Sequence, residues 1–511
     1  MPLGFRILKN QYFDSVFLMG VNKHLSDENG VQQTAVLMGS DGNKKLLKDL
    51  GLYDPVMDAA QANDLIVSIS ADSESIASEL LARLPEYLKG GVEAIGKTRL
   101  STLENGLTIK PDANLAVISI PGEFAAREAK KALDHGLNVF LFSDNVSLED
   151  ELMLKSYAAK QGLLVMGPDC GTSLIGGKGI GFTNAVRRGS IGAIGPSGTG
   201  LQEFTSQVHN AGYGVSHAIG TGSHDLSDKI GGLTTISALD ALENDPATKV
   251  IAIISKPPGE NTLIKLMSRI KNCPKPIIGC FFGVQTIPPT GCSMFSRATT
   301  IDEAVRLSVV NSGGGDHPEV NDRNILMQKL KSEKQGFSFK QKYLRGIFAG
   351  GTFCYQAQQI LRGQGFPVFS NAPLDKKMLL DHPTHSRENC MVDMGDDYFT
   401  QGKPHPMIDG TERKRRILEE ARDAELKVLL LDFILGYNAS MDPAGELADA
   451  ISEAKRIVAT RHGYLSIVAS ICGTEEDPQD LKLQEKILEE LGVIVFRSNA
   501  RASQFCVELL K

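Results

Sequence analysis

The feature that most constrains this chain is an alternation. Short apolar, β-branched runs end in glycine-rich turns and lead into longer amphipathic stretches through most of the sequence. That is the pattern of βαβ units around a parallel sheet, with loops collected at the carboxyl ends of the strands. A chain of 511 residues exceeds what one hydrophobic core supports, so three or four domains are expected. The fold class read from this is multidomain α/β.

Five segments can be separated. Residues 1–100 read as an N-terminal α/β domain, set off by a polar, glycine-rich break from Lys89 to Asn114. Residues 101–188 contain the strand Leu115 to Ile120, a helix from Phe124, the strand Asn138 to Phe142, a helix from Leu148 and a third strand ending at Met166, a half-Rossmann arrangement. Residues 189–310 open with the strand Ser190 to Ile194 and include apolar runs at Val250 to Ser255 and Pro276 to Phe282. Residues 311–340, rich in glycine, asparagine and charge, read as a linker. Residues 341–511 repeat the earlier plan with the strands Gly346 to Phe348, Val428 to Phe433, Leu465 to Ala469 and Val493 to Phe496. The shared plan of the two later blocks suggests related domains that face each other.

Composition excludes several classes. The formal net charge of -7, with both signs interspersed, leaves no basic face for nucleic acid. No apolar run reaches the roughly 20 residues of a membrane helix and no signal core opens the chain, so a cytoplasmic protein is expected. The eight cysteines are scattered without a C-x-x-C pair, which argues against disulfides and zinc.

Three glycine-rich loops precede helices. Ser197-Gly198-Thr199-Gly200 and Gly350-Gly351-Thr352 have the form in which backbone N–H groups at a helix start receive a phosphate, although an ordinary tight turn has the same composition. Gly436 with Asn438 forms a third candidate, explained equally well by capping of the helix after Asp442-Pro443. The carboxylate-dense segment Asp393 to Asp409 is the most unusual stretch, and Asp396, Asp397, Lys403 and His405 in it could bind anions or metals or move protons. Lys256 follows a buried strand and should emerge at the ligand edge of its sheet, though a solvated lysine fits there too.

These residues carry a resemblance. Gly167-Pro168-Asp169-Cys170-Gly171 and Ser190 to Gly200 resemble the CoA-binding and ligase domains of the succinyl-CoA synthetase α subunit. Gly350 to Thr352 and Leu431 to Ala444 resemble the ligase domain of its β subunit, and the whole chain resembles the FdrA family, with Phe13-Asp14-Ser15-Val16, Ser255-Lys256-Pro257-Pro258 and Gly402 to Asp409 as hallmarks. The resemblance implies a Rossmann-like CoA-binding domain and two flavodoxin-like ligase domains. It implies CoA as the candidate cofactor, held by Ser143, Asn145, Asp169, Cys170 and Gly171; no metal ligands are assigned.

The activity it implies is that of an oxamate carbamoyltransferase subunit, interconverting oxamate plus carbamoyl phosphate with oxalurate plus phosphate in allantoin degradation. Other carbamoyltransferase subunits would be partners, with a homo-oligomer as another arrangement. The alternatives are an acyl-CoA synthetase and a noncatalytic subunit that binds CoA or a phosphorylated metabolite. Against a complete synthetase, Gly283 to Phe295 lacks the histidine that carries the phosphoryl group in the α subunit, and no ATP-grasp domain is recognisable. The expectation for chemistry is that Ser197 to Gly200 and Gly350 to Thr352 hold oxyanions, while Lys256, Lys403 or His405 balances the developing charge.

Overall fold

The computed structural model describes residues 2–11, 13, 15–89, 102–289, 291–315, 323–400 and 403–511, which build four sheets. The first is antiparallel, unlike the rest: Leu3–Leu8 and Val31–Met38 both pair with Leu65–Ala71 between them. Helices Ser15–Ser26 and Glu74–Tyr87 bury Leu18, Leu25, Leu80 and Leu84 on one face. Asp14 of the 13–16 hallmark and residues 90–101 of the 89–114 break lie outside the described residues, while Leu103–Ile109 within that break is a helix.

The second sheet is the expected half-Rossmann unit, with Leu115–Ile118, Asn138–Leu141 and Val165–Met166 parallel and in sequence order. The third sheet holds the parallel strands Phe295–Ala298, Ile277–Phe281, Val250–Ser255, Arg188–Gly195 and Val215–Gly220 in that spatial order. The hairpin Thr172–Ile175 and Lys178–Gly181 extends it antiparallel beside Val215–Gly220. The division expected at 188/189 is therefore corrected at the level of the sheets, because residues 172–181 belong to the later unit.

The fourth sheet is wholly parallel, in the order Phe369–Ser370, Cys390–Asp393, Tyr343–Phe348, Leu426–Ile434, Ser466–Cys472, Ile494–Phe496. Its strands read as continuous apolar runs because helices cover both faces. Gly351–Gly363 and Asn499–Leu510 lie on one side, and Thr411–Glu420, Pro443–Ala459 and Leu481–Glu490 on the other. The expected linker is corrected too: Arg323–Gly336 is a helix whose Leu326 and Leu330, four residues apart, pack on this unit, while 316–322 lie outside the described residues.

The third and fourth units meet across a polar seam with approximate two-fold character. Glu203, on the helix Gly198–Asn210, accepts from the N–H of Asn499 at 2.8 Å, at the start of a helix in the other unit. Gln356, the same distance along Gly351–Gly363, accepts from the N–H of Ile301 at 2.8 Å, again at a helix start across the seam. Each unit thus satisfies an orphan donor of its partner.

Candidate functional site

The seam brings the starts of helices Gly198–Asn210 and Gly351–Gly363 together. Ser197 caps the first by accepting from Gly200 N at 3.4 Å, and its hydroxyl also meets the Thr352 hydroxyl of the second. A side chain on Gly200 would sit 3.0 Å from Thr352 Cγ2, and one on Gly350 would sit 3.0 Å from Thr199 Cβ. Glycine at both positions is what lets the two helix starts approach. The N–H groups of Gly198, Thr199, Gly351 and Thr352 belong to first turns, which have no intrahelical acceptors, and both helices direct the positive ends of their dipoles here.

The second helix start is scaffolded differently from the first. Asp432, fully buried at the end of its strand, accepts from Ala349 N and Gly350 N, each at 2.8 Å, and pairs with Arg413 Nη2 at 2.9 Å. Burial raises the Asp432 carboxyl, opposed by Arg413 and the two N–H groups. The Gly350 N–H is therefore not available to a ligand, which narrows the expected loop to Gly351 and Thr352. An acidic residue inside the apolar run Leu429 to Ile434 was the sequence signal for this role.

Around Gly351 lie three polar side chains from three segments. A Cβ there would collide with Asp393 Oδ2 and stand 3.5 Å from Lys256 Nζ. A Cβ on Gly395 would stand 2.9 Å from His405 Nε2 and 3.2 Å from Asp393 Oδ1. Asp393 ends the strand Cys390–Asp393 and is buried; its carboxyl is pushed up to about 6, chiefly by burial, with Lys256 opposing. His405 is lowered to about 4 by burial, then by Arg413 and Lys256, so its ring is neutral at ordinary pH. Its Nδ1 accepts from Met407 N at 3.2 Å, which leaves the proton on Nε2, toward Gly395. Lys256 is half-buried, and no carboxylate lies within ion-pair distance of its Nζ among the described residues.

Other expected residues lie elsewhere or do structural work. Lys403 pairs with Glu412 at 2.9 Å on the helix Thr411–Glu420. Gly436, at φ 119°, donates its N–H to Gln479 within its own unit and lies so close to Thr183 O across the seam that a Cβ would collide with it, while Asn438 Nδ2 donates across the seam to Gly181 O at 2.8 Å. Cys170 is buried against Ser173 and Thr172, and burial pushes its thiol up to about 12. Gly171 O accepts from Phe182 N. Ser143 accepts from Ile120 N at 3.0 Å, and its carbonyl accepts from Asp169 N, which ties two strand-end loops together. Asn145 is exposed at φ 54°. Asp169, exposed at its loop, does lie near the cluster: the protein around it raises its carboxyl by partial desolvation, Ser223 and Lys256 oppose, and Asp144 and Asp397 lie close enough to raise it further. The mouth of the site is consequently acidic.

The N-terminal unit docks beside the same loop. Lys23 pairs with Glu446 and donates to Ile408 O at 3.3 Å, and Met19 packs against the core cluster that includes Phe182 and Met407. Phe182 in turn lies 6.4 Å from the His405 ring.

A strand-end site between two parallel-sheet units, each offering a helix start, defines a CoA-ligase type of protein. Residues 347–507 match the CoA-ligase family model, and residues 1–100 match a model described as "AllF, heavy metal-associated domain". The chain is 42% identical over 515 residues to the Escherichia coli K12 protein named "Uncharacterized protein YahF", covering 100% of this chain and 99% of that one. It is 30% identical over 204 residues to the succinate–CoA ligase [ADP-forming] α subunit of Methanothermobacter thermautotrophicus, 39% of this chain and 67% of that one. The chain belongs to the succinyl-CoA synthetase-like family that these relatives share.

Among solved structures, the apo "dinucleotide forming Acetyl-coenzyme A synthetase 1" of Ca. Korarchaeum cryptofilum matches 78% of this chain and 82% of its own at 16% identity, with a TM-score of 0.30, too low to bear on function. The expectation of a carbamoyltransferase is overturned: the family model and the Methanothermobacter relative are CoA ligases. The donor set of the first 100 residues does not suit a heavy metal, since it has no cysteine and a single histidine, His24. No described helix is long and apolar enough to cross a membrane.

Proposed function

We propose that the chain is an acyl-CoA synthetase-like protein whose paired ligase units hold the phosphoryl group of an acyl phosphate, or the free phosphate that exchanges with it. In that exchange a phosphate oxygen attacks the thioester carbonyl, the C–S bond breaks, and the departing CoA sulfur takes up the proton that phosphate loses. The observation that carries the reading is the convergence of two helix starts at Ser197 and Thr352, with Lys256, which has no ion-pair partner among the described residues, beside Gly351. The N–H groups of Gly198, Thr199, Gly351 and Thr352 would bind phosphate oxygens, and Lys256 would offset the charge that develops on them.

Arsenate tests this directly, because an acyl arsenate hydrolyses and makes thiol release irreversible. Arsenate-dependent release of free thiol from a panel of acyl-CoA esters is expected, and Lys256→Met should reduce it at least about tenfold, as loss of a charged hydrogen bond would. No release with any ester, alongside retained phosphate binding, would favour a second reading, a noncatalytic subunit that binds a phosphorylated metabolite. The absence of a histidine from Gly283 to Phe295 supports that reading, because a covalent phosphoryl relay there would have no nucleophile.

A further inference from the structure

One group at the proposed anion site has the wrong sign for it. Asp393 is 6% exposed; its Oδ1 accepts from Gly395 N at 2.9 Å, while its Oδ2 faces Gly351 with no hydrogen-bond partner among the described residues. An ionised Oδ2 would repel a fully deprotonated oxyanion brought to the helix starts. A ligand oxygen that still carries hydrogen would instead donate to Oδ2 and satisfy it.

We infer that Asp393 makes the site bind its anion together with one hydrogen, held between Oδ2 and a ligand oxygen, so that hydrogen phosphate is accepted where sulfate is refused. The inference rests on the reading that the paired helix starts take a phosphoryl group. Hydrogen phosphate brings its own hydrogen throughout the neutral range, whereas sulfate brings none and can bind only when Asp393 is itself protonated.

The groups that set this behaviour come from every element packed on Asp393. Lys256 favours ionisation, as does the Gly395 N–H, while Asp396 and Asp432 disfavour it. The neutral His405 and the un-ionised Cys354 and Tyr355 complete the surround. Burial outweighs the favourable contributions and places the carboxyl at about 6, within reach of experiment.

Calorimetric titration of the full chain with sodium phosphate and with sodium sulfate, at pH 5.5 and pH 8, provides the test. Comparable affinities are expected at pH 5.5. At pH 8 sulfate should bind about a hundredfold more weakly, about tenfold for each pH unit above 6, while phosphate binding holds. Asp393→Asn, whose amide donates to either anion, should restore sulfate at pH 8. Should that variant fail to fold, the wild-type chain in two buffers of different ionisation enthalpy still decides: one proton taken up per sulfate and none per phosphate is expected at pH 8. Equal affinity for both anions at pH 8 would overturn the inference and leave the phosphoryl reading standing. Binding of neither anion at either pH would overturn both.

Discussion

The two ligase units use one local plan, a strand, a glycine-rich turn and a helix, yet stabilise its start by different means. In the first unit the serine hydroxyl of Ser197 caps its own helix. In the second, Gly350 offers no side chain, and the buried Asp432–Arg413 pair reaches in from the next strand to take the Ala349 and Gly350 N–H groups. The cross-seam caps differ in the same spirit, Glu203 on one side and Gln356 on the other. Similar loops therefore contribute unequally: the first is self-sufficient, and the second depends on a charge buried elsewhere in its sheet.

That inequality predicts a ranking of effects. Asp432→Ala should be the most damaging, costing about 3–5 kcal/mol in urea denaturation, because it strands Arg413 in the interior along with two N–H donors. A loss no larger than that of a surface substitution would show that the second loop needs no such scaffold.

Next comes the asymmetry of the seam. Burial, reinforced by Asp302, pushes the Glu203 carboxyl up to about 8 from the 4.5 of a free glutamate. The stability this proton contributes is complete below about pH 4.5 and is lost as pH rises through 8. Wild type should therefore lose about 2–3 kcal/mol between pH 6 and pH 9, at about 1.4 kcal/mol per pH unit below 8. Glu203→Gln, which copies the opposite side of the seam, should flatten that dependence; an unchanged slope would place its origin elsewhere.

Ser197→Ala should cost about 1 kcal/mol in thermal or urea unfolding, the usual value of an N-cap. Its cost should be well below that of Asp432→Ala, and the reverse order would invert the comparison. The smallest effect belongs to Lys403→Ala, which breaks only the half-exposed pair with Glu412: below about 1 kcal/mol, with phosphate affinity unchanged. A large loss of affinity would return Lys403 to the site.

Strand runs and glycine turns made the parallel units readable in advance, because periodicity and turn chemistry are local properties. Val250–Ser255 and its neighbours at 277–281, 343–348 and 426–434 lie where the apolar runs put them. The antiparallel first sheet and the hairpin at 172–181 were not legible, since strand direction and edge pairing depend on contacts distant in sequence. Lys256 and His405 stood out by residue type, and the fold draws them toward one another. Asp393 and Asp432 did not, because a carboxylate at a buried strand end discloses its role only once the neighbouring helix starts are in place. Gly436 and Asn438 looked like a third phosphate loop because a backbone shaped for docking and one shaped for anions call for the same residues.

The most direct test of the shared helix starts as an anion site is a crystal structure of the chain grown with phosphate. Phosphate oxygens should lie within hydrogen-bond distance of the Gly351 N–H and of Lys256 Nζ, with the Gly198–Thr199 turn completing the cradle from the other unit. Phosphate bound elsewhere, with the Ser197–Thr352 contact and its surroundings unchanged and empty, would contradict the account.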